Sequence, residues 1–341
     1  MKNEQIKILT TSLKRLLRRG APRQLLNIIA NTHMAALATG FTELSPDNRE
    51  RLFRLMQDPE QIGILFSMLE ESLFIEFVKK VDFDKLVDVF DHMASDDAAG
   101  LLSLLDDELS DNILSKMQVE ESDNVEQLMS YGEDTAGSLM VTDFVALEED
   151  VVARQVIEAL QNKYIDVEMP FYIYVIDSYG KLVGVSSLRQ LVVVKPDVPL
   201  KDFMATDMVT VKPYTDREEV ARLVSRYDYL AIPVVDDDNR VMGIVTVDDV
   251  IDILHEAATE DMLKMAGVGE EYIETQTVFR GTRTRLPWLF ASFLGGVAAF
   301  YIISGFEANL AKVTSLAAFI PVIMGMGGNI GTQSSTIVVR G

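Results

Sequence analysis

The segment at 247–261, VDDVIDILHEAATED, carries Asp249, Asp252, Glu256 and Glu260 at spacings of three and four residues. On a helix that spacing sets all four carboxylates along one face. Like charges so placed destabilise a helix by roughly 0.2–0.5 kcal/mol per pair. No Lys or Arg falls between Arg240 and Lys264 to relieve them. Two readings fit: a solvated acidic face, or a face that meets a basic surface, a counter-ion cloud or a hard divalent cation with its water shell. Carboxylate oxygens favour Mg2+, Ca2+ or Mn2+ over zinc, and the chain has no Cys and only three scattered His. Acids at Asp96, Asp97, Asp216, Asp236, Asp237 and Asp238 could line an opposing wall. A second pattern is Asn329 and Gln333, four residues apart in an apolar stretch. Their amide oxygens could hold a cation's hydration water, or could simply bond a neighbouring helix. No nucleophile elbow, phosphate loop or HExxH is present, so no enzyme chemistry is expected.

The elements that must position these groups follow from periodicity. Met1 to Arg19 is basic, with Ile6, Leu9, Leu13, Leu16 and Leu17 at helical spacing. An amphipathic helix packed on its own protein is expected there, with a membrane-surface role as the alternative. From about Pro22 to Tyr131 short helical periods recur, with Phe74, Phe77, Val78 and Val81 in one stripe and Ala98, Leu101, Leu102 and Leu105 in another. Ser45 and Ser95 read as helix caps followed by acids. A stack of short helices, of either hand, or a plain bundle would satisfy this pattern.

The next block repeats itself. IYVIDSYGKLVGVSSLRQLV (173–192) and IPVVDDDNRVMGIVTVDDVI (232–251) align without a gap, each with a central glycine, Gly184 and Gly243. Amphipathic helices precede each hairpin, and the related openings LMVTDF and FMATDM precede those. This twice-repeated unit of strands and helices resembles a tandem pair of CBS domains. The resemblance implies adenosine-nucleotide binding through a Ser or Thr followed three residues later by Asp. Thr246 and Asp249 meet that pattern, and Ser187 is followed by Gln190 instead, which has no carboxylate to accept ribose hydroxyls.

Two uncharged runs close the chain, 287–304 and 313–339, with Arg280, Arg283 and Arg285 before the first and Arg340 at the end of the second. Basic outer flanks around a short turn with Glu307 and Lys312 predict a transmembrane hairpin with both ends cytoplasmic. The buried face of the acidic helix is expected at Val247, Val250, Ile251 and Leu254. Backbone near Gly327 and Gly328 is expected to be loosened where it lines a cavity. The net charge of −22 argues against nucleic acid.

YGEDTAGSLM (131–140), the 232–261 segment, RLPWL (285–289), SGFE (304–307) and GGNIGTQSS (327–335) together resemble the MgtE-type magnesium transporters, over about Ser95 to the last residue. That resemblance implies a multidomain chain. An all-α helical N domain spans 1–130, and an α/β tandem CBS pair spans 131–256, with halves at 139–200 and 203–256. A connecting plug helix at 257–284 leads to an α-helical transmembrane hairpin at 285–341. It also implies a homodimer in the plasma membrane, with cytoplasmic N-terminal domains and Mg2+ transport gated by Mg2+ between those domains. Carried over position by position, the regulatory ligands are Asp249, Asp252, Glu260 and Asp261, with Asp216 and Asp97 as further candidates. Ala257 stands where the family has an acid. Asn329 would contribute to the pore, with Gln333 beside it. Because family members have five spans, a chain with two is expected to be truncated and non-conducting by itself. The alternative is a membrane-tethered CBS module that binds ATP as a regulatory sensor through Thr246 and Asp249.

Overall fold

The computed structural model describes residues 2–164, 171–265, 278–306 and 315–340. It divides into two compact units, Met1–Val250 and Ile251–Gly341.

The first unit begins with helices of eight to eighteen residues: α1 (Lys2–Arg19), α2 (Pro22–Asn31), α3 (Met34–Thr42), α4 (Pro46–Phe53), α5 (Pro59–Ser67), α6 (Glu71–Val78), α7 (Phe83–Phe90), α8 (Ser95–Ser103), α9 (Asp107–Leu114) and α10 (Val119–Met129). Prolines at the first turns of α2, α4 and α5 start those helices where a missing N–H costs nothing. The packing is that of a stack: α1 lies on α3, α3 on α5, α5 on α7 and α7 on α9. Aromatic side chains fill its middle. Phe53 and Phe66 stack at 5.6 Å, while Phe77 leans on Phe41 at 5.2 Å and on Phe53 at 5.7 Å. Offset and tilted pairs of this kind contribute about 0.5–1.5 kcal/mol beyond their burial. Gly63 in α5 leaves room for the Met93 side chain, whose Cγ would lie 2.7 Å from a Cβ there. Ser45 caps α4 by backbone conformation, without a side-chain hydrogen bond. Ser95 is not a cap; it is the first residue of α8, and its hydroxyl is used elsewhere.

The repeat follows. β1 (Ala146–Glu148) pairs parallel with β2 (Tyr172–Ile176), which pairs antiparallel with β3 (Leu182–Ser187). α11 (Ala153–Asn162) precedes that hairpin and α12 (Leu188–Val193) leaves it. In the second half α13 (Arg217–Tyr227) leads to the antiparallel pair β4 (Ala231–Val235) and β5 (Val241–Thr246), and α14 (Val247–Met265) leaves it. The halves exchange their openings. Val141 bridges Ile244 of β5, and Ala205, its counterpart in the second opening, bridges Val185 of β3. The two central glycines exist for this exchange. A Cβ on Gly184 would lie 2.9 Å from the Ala205 carbonyl oxygen, and one on Gly243 would lie 2.8 Å from that of Val141. The two hairpin turns meet each other: Leu182 N–H donates to Asn239 O, and Asn239 Nδ2 returns a bond to Leu182 O, both at 2.8 Å.

In the second unit α14 continues into a helical segment that ends at Met265, and helices at Val278–Gly305 and Ser315–Arg340 follow. The expected hairpin helices are therefore present as helices. Among the described residues, however, no helix is long and apolar enough to cross a membrane. The side chain of Trp288 and the turn with Glu307 and Lys312 lie outside the described residues, as does the expected plug over 266–277. Pro287 and Pro321 sit inside their helices rather than at their starts. The helix runs unbroken through Gly327 and Gly328, which corrects the loosened backbone expected there.

Candidate functional site

The candidate site is the junction between the helical stack and the repeat, both within the first unit. Ser95 at the start of α8 anchors it: its Oγ lies 3.1 Å from Thr142 Oγ1 and accepts the Thr142 N–H at 3.2 Å. The YGEDTAGSLM segment makes a second seam. Ala136 and Gly137 donate to the Thr215 and Pro213 carbonyls at 2.7 and 2.8 Å, and the Arg217 guanidinium lies 3.0 Å from Asp134. Gly137 lets the Tyr131 ring lie against the backbone, since a Cβ would come within 2.5 Å of it. That ring meets Tyr214 edge-on at 5.5 Å.

Carboxylates on both sides of this junction repel one another. Asp97, two residues after Ser95, is held above its ordinary range first by desolvation and then by repulsion from Asp248 at the start of α14. A hydrogen bond from Ser67 acts the other way. Asp97 still presents much of its surface to water, so its carboxyl is crowded on one side rather than sealed. A few residues away, burial pushes up Asp143 in the first opening, with Glu120 of α10 adding repulsion. Burial likewise raises Glu121, with further repulsion from Asp143, Glu120 and Asp91, and His92 acting in the opposite sense. In each case desolvation of the charged form is the largest cause.

The sequence-derived candidates fall into three groups. Asp97 lies in the first turn of α8, and the acid whose repulsion reaches it is Asp248. Asp249 accepts a 2.6 Å hydrogen bond from Thr246 Oγ1, and Thr246 itself is buried. Asp216 caps α13, accepting the Glu218 and Glu219 N–H groups at 2.9 and 3.4 Å. Further along α14, Asp252 and Glu256 are exposed. The side chains of Glu260 and Asp261 lie outside the described residues. The buried line of α14 is Val250 and Ile253, whereas Ile251 and Leu254 are 49% and 45% exposed, which corrects the face expected from periodicity. The hairpin acids serve their own turn. Asp236 accepts the Arg240 N–H, Asp237 lies 3.8 Å from Lys212 Nζ, and Asp238 lies 3.7 Å from Arg240. Asn329 and Gln333 share an exposed face of the last helix.

In the first half the Ser187 hydroxyl and N–H meet Gln190 Oε1 at 3.2 and 2.9 Å, a capping box that starts α12. Both halves thus link the two positions of the nucleotide pattern, but only the second does so through a carboxylate.

Among the described residues no group of three or more His, Asp or Glu side chains gathers as a ready metal cage. Facing carboxylates instead suit a hard cation that keeps most of its water and is held through one or two charged ligands. Sequence reasoning missed Asp248, Asp143, Glu120 and Glu121. Adjacent acids at 248–249 and 120–121 were visible, but which acids on other elements they repel depends on how the chain folds back.

Residues 32–134 match the MgtE intracellular N domain, and residues 136–197 and 200–256 match CBS domains. The magnesium transporter MgtE of Bacillus subtilis is 36% identical over 326 residues, 96% of this chain and 72% of that protein. That of Thermus thermophilus is 35% identical over 342 residues, 97% of this chain and 75% of that protein. A crystal structure of the soluble part of a magnesium transporter superposes with a TM-score of 0.69 at 28% identity, covering 76% of this chain and 100% of that one. The cytosolic domain of the Mg2+ channel MgtE in complex with ATP gives 0.69 at 33% identity, covering 72% and 99%.

Proposed function

The chain belongs to the MgtE family of magnesium transporters, and from that premise we propose that its acidic junction senses divalent cations and thereby regulates Mg2+ passage through a membrane domain. The observation that carries this reading is the Asp97 carboxyl at the junction, pushed above its ordinary range by desolvation with repulsion from Asp248 added. A hydrated Mg2+ between them offsets the repulsion and favours the compact arrangement; without it the carboxylates push the domains apart. Asp143 with Glu120 and Glu121 extends the same repulsion along the seam. Asp249, Asp252, Glu260 and Asp261 are proposed to serve the same cation response along α14, in a homodimer. To move a closed population from one in a hundred to ninety-nine, loading must favour that state about 10⁴-fold, which several weak ions acting together can supply.

The C-terminal helices are proposed to enter the bilayer. Apolar side chains are exposed all around them, from Leu289, Phe290 and Phe293 to Ile323, Ile330 and Val338, and Asn329 with Gln333 would face the ion path. The test is a Mg2+ titration of the full chain in detergent, read by chymotryptic protection at Tyr131 in the 131–140 seam. Protection developing near ~1 mM Mg2+, the range of sites with few charged ligands, and not with NaCl at matched ionic strength, supports the sensor. Equal protection by both salts leaves a solvated acidic face.

A nucleotide reading rests on a separate observation. Thr246 and Asp249 are linked and paired with a carboxylate, and a relative's cytosolic domain is known in complex with ATP. ATP is proposed to use the second half of the repeat, because Gln190 occupies the matching position of the first.

A further inference from the structure

The acidic surplus of this chain stops short of its first helix. Seven Lys and Arg precede residue 32, at 2, 7, 14, 15, 18, 19 and 23, and Glu4 is the sole acid before Glu43 in a chain of net charge −22. In α1 the buried arc is Leu13, Leu16 and Leu17, against α2, α3 and α4. At 100° per residue, Lys7, Thr11, Arg15, Arg18 and Arg19 fall within an arc of about 120° on the other side, and all are exposed. Arg23, at the start of α2, is exposed as well. Two apolar side chains are exposed with them, Ile8 at 62% on the same arc of α1 and Leu26 at 44%, three residues after Arg23 on α2.

Several cations elsewhere in the chain find acids, among them Arg54 with Glu50, Lys80 with Glu76, Lys201 with Asp150 and Arg222 with Glu219. Among the described residues Lys7, Arg15, Arg18, Arg19 and Arg23 make no ion pair. With acids in such excess, a cationic face kept clear of them calls for an anionic partner outside the fold. Single apolar side chains set between the cations suit a lipid headgroup layer, where stems and methyls enter the interface while charges meet phosphates. We infer that the exposed face of α1, with Arg23 and Leu26 of α2, docks on the anionic surface of the bilayer. The inference rests on the proposal that this chain is membrane-embedded, which holds the patch near lipid. Each Lys or Arg near such a surface contributes about a fivefold gain in partitioning, so four together contribute several hundredfold.

The chain has no Cys, so Thr11→Cys provides a unique site for an environment-sensitive fluorophore on this face. The labelled full chain is reconstituted into discs of phosphatidylcholine alone or with phosphatidylglycerol. The expected result is a blue shift in the anionic discs only. It should vanish in ~0.5 M NaCl, where screening shortens to a few ångströms, and in the Arg15→Gln, Arg18→Gln, Arg19→Gln, Arg23→Gln variant. Circular dichroism checks that this variant keeps its helices, which its buried leucines should ensure. Water-like emission in both discs overturns the inference. An equal shift in both also overturns it and assigns the face to a protein partner, a second copy included. A chain that fails to co-elute with discs refutes the membrane proposal instead; the labelled protein mixed with phosphatidylglycerol vesicles then still reads α1, and no shift there overturns the inference too.

Discussion

At the scale of single residues, the junction acids make a pH prediction whose sign is fixed by their direction of shift. Asp97, Asp143 and Glu121 are all raised, first by desolvation. The folded state therefore binds protons more readily than the unfolded chain, and ionisation costs stability. That cost is fully present above the folded pKa values and is relieved as pH falls through them towards the ordinary 3.8 and 4.5. Asp97→Asn, which keeps an acceptor for Ser67, should raise the Tm in Mg2+-free buffer at pH 7 by a few degrees. The gain should shrink as pH falls through the raised Asp97 pKa towards the ordinary 3.8, and Mg2+ should stabilise the variant less than the parent. A gain that does not depend on pH would mean that Asp97 is not the titrating group. Asp249 makes a second prediction: Asp249→Asn should weaken ATP binding about tenfold or more, the loss of a charge-assisted hydrogen bond, whereas Gln190→Ala should change it little. Calorimetry with ATP separates the two. Asp216 was legible as an acid but not as a helix cap, because the same carboxylate suits either role and only the bonds to Glu218 and Glu219 decide between them.

At the scale of elements, the repeat was the most legible part of the chain, since strand, central glycine, strand and helix recur in order. What the repeat could not disclose is that each opening crosses to the other half, because Val141 and Ile244 are joined by a bridge far apart in sequence. The crossing explains the glycines and yields a contrast. Gly243→Ala forces a methyl against the Val141 carbonyl, rigid backbone in a sheet, and should cost about 1–3 kcal/mol. Gly63→Ala meets only the flexible Met93 side chain, and better helix propensity offsets part of the strain, so its change in Tm should be smaller. Chemical denaturation of both variants tests the ranking, and equal losses would remove the crossing as the reason for Gly243. Ser95 teaches the same lesson. Local pattern marked it as a cap, yet its hydroxyl serves Thr142, 47 residues away.

At the scale of the whole molecule, one acidic chain carries two surfaces unlike the rest, the cationic face of α1 and the exposed apolar side chains of the last two helices. Uncharged length and basic flanks made the second legible in sequence. The described helices add that Phe293, Phe300, Ile323 and Ile330 find no cover within their own unit. Leaving so many large apolar side chains in water costs about 25 cal/mol for each Å², which is the ground for the proposal that a bilayer takes them. The full chain should then stay in the membrane pellet after alkaline carbonate extraction. Leu294, exposed near the middle of the first run, offers the sharper test. A carboxylate there, in Leu294→Asp, adds about 2.5–3.5 kcal/mol to insertion, a factor of roughly a hundred, and should release much of the protein. Glu256→Gln, outside that run, should leave the pellet fraction unchanged. Release of the parent chain itself by carbonate would make the helices a peripheral or protein-covered pair, and the ion path proposed at Asn329 and Gln333 would fall with the membrane assignment.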